Sequence, residues 1–208
     1  MRIDSVASQP DRAGRHLIRF ADGSTMRLYR QTVEDFGLYP GLELSEEDMK
    51  RLRNAAGQMS AKMRAVRIVS ASSVSQKDLE QRLIHKGEDP DQARQAVKWM
   101  EDLDLLDDRK TAEQVVHRCA AKGYGISRAK QALYEKRIPR DLWEQALADY
   151  PDQTEAIADF LRSKLGADRD PKQLRKAMDA LVRRGHNYGQ IRAALQQLSL
   201  DTDDFPED

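Results

Sequence analysis

A basic corner that recurs along the chain constrains the fold more than any other feature of the sequence. Lys86-Gly87, Lys136-Arg137 and Arg184-Gly185 lie about fifty residues apart, inside the range that signals stacked structural repeats. Each follows an apolar stripe at helical spacing. Leu79 and Leu83 precede the first, Ala129, Ala132 and Leu133 the second, and Leu174, Ala177, Met178 and Leu181 the third. Glycine is the residue best suited to a left-handed helix stop, so such a corner ends one helix and releases the chain into the next. The pattern predicts one helical unit written three times, with no catalytic centre.

The polarity of the chain agrees. Hydrophobic residues make up 39% and charged residues 34%, with a mean hydropathy of −0.77. That is too polar for one thick core and suits amphipathic helices that each expose a wide charged face. The formal charge is zero but unevenly spread. Met49 to Lys77 holds seven Lys or Arg and no acid, and Phe160 to Leu198 holds nine basic against three acidic residues. Glu101 to Asp108 carries five acids, and the tail from Asp201 carries five more with no base. Zero net charge is therefore compatible with a polyanionic partner. The single cysteine, Cys119, forms no internal disulfide, which fits a reducing cytosol. No apolar run approaches a membrane span, and the N-terminus lacks the basic-then-apolar pattern of a signal peptide. A cytoplasmic protein with no membrane partner is expected.

Residues 1–44 predict a β-hairpin and a short helix. His16, Ile18 and Phe20 alternate before Asp22-Gly23, and Met26 and Leu28 alternate after it, a strong hairpin signal. Ile3 and Val6 begin a further extended segment. Thr32 is expected to cap a short helix over residues 33–36, before the Pro40-Gly41 break. Ser45-Glu46-Glu47-Asp48 has the form of a capped helix start, and Gly57 and Ser60 are expected to bend or divide the long helix that follows. The first three-helix repeat is placed at 45–108, the second at 109–150 and the third at 151–200, making nine helices, with an acidic tail at 201–208. Asp89-Pro90 and Asp170-Pro171 each supply an N-cap and a first helical residue. Trp143 lies on an apolar stripe and is expected in the core. The expected fold class is mainly α: tandem three-helix repeats in an elongated curved array behind a small β-hairpin extension.

These residues resemble the RecX family, bacterial regulators of the RecA recombinase. Leu79, Leu83, Lys86 and Gly87 carry the resemblance in the first unit, closed by Leu103, Leu106, Asp107 and Asp108, with Ala112 following at the family's spacing. Gly123, Gly125, Ile126, Leu133, Lys136 and Ile138 carry it in the second unit, and Leu181, Arg184, Gly185 and Ile191 in the third. The similarity runs from about Ser45 to Leu198, and the N-terminal segment is similar to the extension of longer family members. Arg137 stands where the family usually has Gly, and Thr111 where an aromatic usually precedes Ala112. The resemblance implies a non-enzymatic protein that binds the RecA–single-stranded DNA filament. It would modulate, in the inhibitory sense, the recombinase, ATPase and coprotease activities used in DNA repair and the SOS response. It implies single-stranded DNA, with double-stranded DNA second, as the nucleic-acid partner; no cofactor and no metal are expected, and a self-capped array is expected to be a monomer.

The chemistry-bearing residues fit that expectation. Asp107-Asp108 reads as an N-terminal cap, because neighbours on a helix do not face together as metal ligands must. His117 and Cys119 diverge on a helix, and no CxxC or HxxxH spacing occurs. Gly123-Tyr124-Gly125 lacks the third glycine, the preceding strand and the lysine-serine pair of a phosphate loop, so it reads as a helix-to-helix turn. Arg51, Arg53, Lys62, Arg64 and Arg67, with Arg175, Lys176, Arg183 and Arg184, are the candidate contacts to filament or DNA. Lys86 and Arg137 at the corners join them. The competing reading of all eleven is a solvated face. The alternative function is an autonomous DNA-binding helical protein that acts without RecA.

Overall fold

The computed structural model describes residues 1–165 and 170–198. The chain forms two compact units, residues 1–106 and 107–208; the expected acidic tail at 201–208 lies outside the described residues.

The first unit opens with an antiparallel sheet of order β1-β2-β3, from Ile3–Val6, Arg15–Phe20 and Thr25–Tyr29. The Asp22-Gly23 turn sets the expected register, pairing Ile18 with Met26 and His16 with Leu28. The extended segment at Ile3 becomes a third strand, pairing Val6 with Ile18 and Ile3 with Phe20. Residues 41–44 cover its outer edge: Ile3 N–H donates to the Leu42 carbonyl at 2.9 Å and Leu44 N–H to the Met1 carbonyl at 2.8 Å. The short helix α1 spans Arg30–Asp35, earlier than expected, and Thr32 is buried within it; the N-cap is Tyr29, without a side-chain cap bond.

Helix α2, Glu46–Ala71, starts at a capping box between Ser45 and Asp48 and runs unbroken for 26 residues. Gly57 and Ser60 do not divide it. Its length follows from serving two cores. Met49 and Leu52 close over Ile3, Ile18, Phe20 and Leu28 of the sheet. Ala61 and Ala65, further along the same helix, pack with Leu79, Leu83, Ala93, Val97 and Met100 of α3, Gln76–His85, and α4, Pro90–Asp102. Fully burying a Leu such as Leu79 or Leu83 stabilises by about 1.5–3 kcal/mol. Leu103, read as part of the α4 stripe, instead caps the helix and is exposed.

In the second unit, α5 (Asp108–Ala121), α6 (Ile126–Glu135) and α7 (Trp143–Leu147) share a core of Ala112, Val115, Val116, Leu133 and Ile138. Asp107 caps α5 by accepting from the Arg109 and Lys110 N–H groups, as expected. Pro139 leads into a 3-10 turn, Arg140–Leu142, before α7, and Trp143 is half-buried at the margin of this core. Helices α8 (Thr154–Lys164), α9 (Pro171–Arg183) and α10 (Tyr188–Gln197) bury Ile157, Leu161, Ala177, Leu181, Ile191 and Leu195. The described residues hold ten α-helices, the short α1 and nine more from α2 to α10, matching the expected short helix and the expected nine.

The three recurring corners share one hydrogen-bond pattern. The residue directly after each corner closes back to the leucine five positions earlier: Glu88 N–H to Leu83 O at 3.1 Å, Ile138 to Leu133 at 3.1 Å, His186 to Leu181 at 3.2 Å. The pattern requires a positive φ at Gly87 (88°), Arg137 (54°) and Gly185 (89°). Arg137 thus takes a glycine conformation with an arginine side chain.

Candidate functional site

The spacing along α2 gathers cations at one place. Ser60, Arg64, Arg67, Ile68 and Ala71 fall three and four residues apart, so they share a face. That face, with Arg15 of β2, Tyr29 at the end of β3, Arg82 of α3 and Lys86 at its C-cap, lines a cleft of about 480 Å3 within the first unit. Five of its lining residues are Arg or Lys and none is acidic.

Carboxylates stand behind the cations and hold them. Buried Glu88 pairs with Arg64 Nε at 2.7 Å and accepts from the Ser60 hydroxyl at 3.0 Å, while Arg64 Nη1 donates to the Lys86 carbonyl at 3.0 Å. Buried Asp78 pairs with Arg82 Nη2 at 2.9 Å. Asp11 accepts from Arg15 Nε at 3.1 Å and Nη2 at 2.8 Å. These bonds, with backbone N–H groups of Arg15 and Ala13, bring its carboxyl down to about 2. Arg67 donates to the Tyr29 hydroxyl. Lys86 is exposed, and its ammonium has no ion pair among the described residues. The result is a concave, cation-lined wall whose guanidinium groups keep spare N–H donors, an arrangement that binds oxyanions.

The remaining candidates scatter. Arg51 pairs with Asp48 at 2.6 Å, and Arg53 is exposed without a carboxylate partner among the described residues. Lys62 lies 5.2 Å from the centroid of the Trp99 ring. In the second unit, Arg175, Lys176 and Arg183 are exposed on α9. Arg137 is exposed at its corner. Arg184 has internal work: its guanidinium donates to the Lys122 carbonyl at 2.8 Å and lies 5.1 Å from both the Tyr124 and Phe160 ring centroids. Arg15, Tyr29 and Arg82 belong to the cleft but escape a reading by charge runs. They come from three separate elements, and only the Asp78–Arg82 spacing carries a local hint.

Two glycine-bearing turns of the second unit meet. Gly125 N–H donates to the Arg184 carbonyl at 3.0 Å and Ser127 N–H to the Gly185 carbonyl at 3.3 Å. His186, buried, has its Nε2 at 3.0 Å from the Gly123 carbonyl; a carbonyl only accepts, so Nε2 carries the proton. Burial, the largest cause, and the charge of Arg184 push its pKa below the ordinary histidine value, against the Gly123 bond. This junction holds the α5–α6 turn against the α9–α10 turn.

Among the described residues, no three His, Cys, Asp or Glu side chains are placed to hold a metal ion. Cys119 is buried, and burial pushes its thiol pKa up, away from nucleophilic use. No helix among the described residues is long and apolar enough to cross a membrane.

Residues 107–147 match the family model for RecX, second three-helix domain. Regulatory protein RecX of Xanthomonas axonopodis pv. citri is 34% identical over 134 residues, covering 63% of this chain and 83% of that protein. Regulatory protein RecX of Vibrio parahaemolyticus is 28% identical over 151 residues, 69% of this chain and 94% of the relative. The Streptococcus gordonii protein of the same name is 23% identical over 192 residues, 90% of this chain and 74% of its own. A crystal structure of regulatory protein RecX aligns over 94% of this chain and 98% of its own, with a TM-score of 0.66 at 19% identity. RecX from Lactobacillus salivarius aligns over 70% of this chain and 98% of its own, with a TM-score of 0.61 at 24% identity. Both show the same fold.

Proposed function

Because this chain belongs to the RecX family, we propose that it is a non-enzymatic regulator that docks on the RecA–single-stranded DNA filament and restrains RecA. The restraint would reach recombinase, ATPase and coprotease activity, and with them repair and the SOS response in the cytoplasm. The observation that supports this reading most is the gathering of cations on faces without catalytic chemistry. The cleft on α2 and α3 and the exposed Arg175, Lys176 and Arg183 of α9 offer several separate weak contacts on one chain. Several weak contacts on one ligand multiply into useful avidity when all can be engaged together. We take 45–108, 109–150 and 151–200 as its repeats, following 1–44 and preceding the tail at 201–208. We assign it no cofactor and a monomeric state.

Within the candidate set, exposure picks out the residues assigned to partner contact: Arg51, Arg53, Arg67, Lys86, Arg137, Arg175, Lys176 and Arg183. Arg64 and Arg184 are held by Glu88 and by the Lys122 carbonyl, and Lys62 by Trp99, so removing them would disturb the fold as well as any contact. The test is co-sedimentation with RecA filaments assembled on single-stranded DNA. The protein is expected to pellet with filaments and not with free RecA, and Arg175→Ala/Lys176→Ala/Arg183→Ala to pellet less while melting like the parent. Equal pelleting with and without RecA on duplex DNA would favour the autonomous DNA-binding alternative instead.

A further inference from the structure

We propose that the N-terminal sheet builds a phosphate-binding cleft with α2 and α3, and that this cleft holds the backbone of single-stranded nucleic acid directly. The inference rests on the regulatory reading above for its biological setting, but its chemistry needs no RecA. Three separate elements deliver the cations: Arg15 from β2, Arg64 and Arg67 from α2, and Arg82 and Lys86 from α3 and its C-cap. They converge on about 480 Å3, so the ligand they fit carries concentrated negative charge. The cleft falls within the size range of ordinary small-ligand sites, enough for a nucleotide unit and not for a helix or a folded partner.

The carboxylates do not cancel the site; they shape it. Glu88 takes Arg64 Nε, and the Lys86 carbonyl takes its Nη1, which leaves Nη2 unspent. Asp78 takes one nitrogen of Arg82, Nη2. Arg67 gives one N–H to Tyr29. Each guanidinium is thus oriented by a partner behind it and retains donors, and Lys86 adds a mobile ammonium. Three acids against five cations leave the cleft net positive. Arg15 is the most neutralised member, because Asp11 takes both its Nε and Nη2. A carboxylate and a phosphodiester each present two oxygens sharing one charge, so charge alone admits either, and the ring and apolar side chain beside the cations favour the strand. Tyr29 and Ile68 supply an aromatic ring and an apolar side chain beside the cations, the combination found where single strands bind.

The experiment is fluorescence anisotropy of a labelled oligothymidylate with the full chain, without RecA, across a salt series. The parent is expected to bind, with affinity falling as salt rises. Lys86→Gln alone should weaken binding several-fold, and Arg67→Ala/Lys86→Gln about tenfold, with the salt slope flatter by about 1.4 for two lost contacts. Asp11→Asn, which releases Arg15 while keeping an acceptor for the turn, should tighten binding about threefold. A folding defect cannot produce that gain. Lys130→Ala/Lys172→Ala removes the same charge from exposed sites of the second unit and should leave the affinity unchanged. The proposal is overturned if Lys86→Gln and Arg67→Ala/Lys86→Gln bind like the parent, or if Asp11→Asn weakens binding. It is also overturned if poly-glutamate binds the cleft as tightly as the oligonucleotide. Binding of inorganic phosphate at constant ionic strength without binding of the oligonucleotide would assign the cleft to a free phosphate and overturn the strand reading. Because no RecA is present, failure here leaves the filament reading to stand or fall by its own assay.

Discussion

Replacing Gly125 with alanine tests the logic of the second unit most sharply. A β-carbon there would overlap the Gly185 carbonyl and the His186 amide nitrogen, all backbone atoms that cannot swing aside. Relief requires the two turns to separate. Four hydrogen bonds cross that junction: Gly125 N–H to Arg184 O, Ser127 N–H to Gly185 O, Arg184 to Lys122 O, and His186 to Gly123 O. A typical hydrogen bond contributes about 1 kcal/mol net, so losing the two backbone bonds and weakening the others costs about 2–4 kcal/mol. With a urea slope of about 1–1.5 kcal/mol/M for a unit of this size, the midpoint should fall by about 2 M. The two tryptophans make the assay selective, since Trp99 lies in the first unit and Trp143 in the second. In a Trp99→Phe background, fluorescence follows the second unit alone. Gly57→Ala is the matched control: the nearest atoms its β-carbon would overlap belong to the Gln92 side-chain amide, which can rotate away. Alanine also favours a helix interior over glycine by about 1 kcal/mol, so the first unit should hold or gain stability. An unchanged second-unit midpoint for Gly125→Ala, or an equal loss for Gly57→Ala, would refute this account of backbone contact.

Other outcomes follow from single residues. Burial keeps His186 neutral below its ordinary pKa of about 6.5, so the unfolded chain binds a proton that the folded chain refuses. Second-unit stability should be fully present above pH 6.5 and decline as the pH falls toward 5, and His186→Gln should flatten that decline; an unaltered profile in the variant would contradict it. Arg64→Met strands buried Glu88 with only the Ser60 hydroxyl and should lower first-unit stability by about 2 kcal/mol, read by Trp99 fluorescence in a Trp143→Phe background. Arg137→Gly removes a side chain from a left-handed conformation and should raise the second-unit midpoint by about 0.5–1 kcal/mol in stability.

Features written locally were legible in the sequence. The Asp22-Gly23 turn, the Ser45 capping box, Asp89-Pro90, the Asp107 cap and the corners at 87, 137 and 185 each depend on a few neighbouring residues, and each stands where its pattern places it. The first strand was harder, because Ile3 joins the sheet only through pairing with Phe20, seventeen positions on. Gly57 and Ser60 suggested a break in α2, but two cores pin that helix at both ends and override the local weakness. Charge runs picked out cations without telling which are occupied. Arg64 and Arg184 look identical in sequence to exposed neighbours, yet Glu88 and the Lys122 carbonyl claim them from 24 and 62 residues away. Arg15 and Arg82 complete the cleft for the same reason in reverse, since their convergence exists only in three dimensions.

Regulation of RecA is tested by RecA ATP turnover on single-stranded DNA as this protein is titrated in at two salt concentrations. Turnover is expected to drop at substoichiometric ratios, less at the higher salt, with the DNA left intact. Turnover unchanged at equimolar protein, with no protein carried down by the filaments, would contradict it.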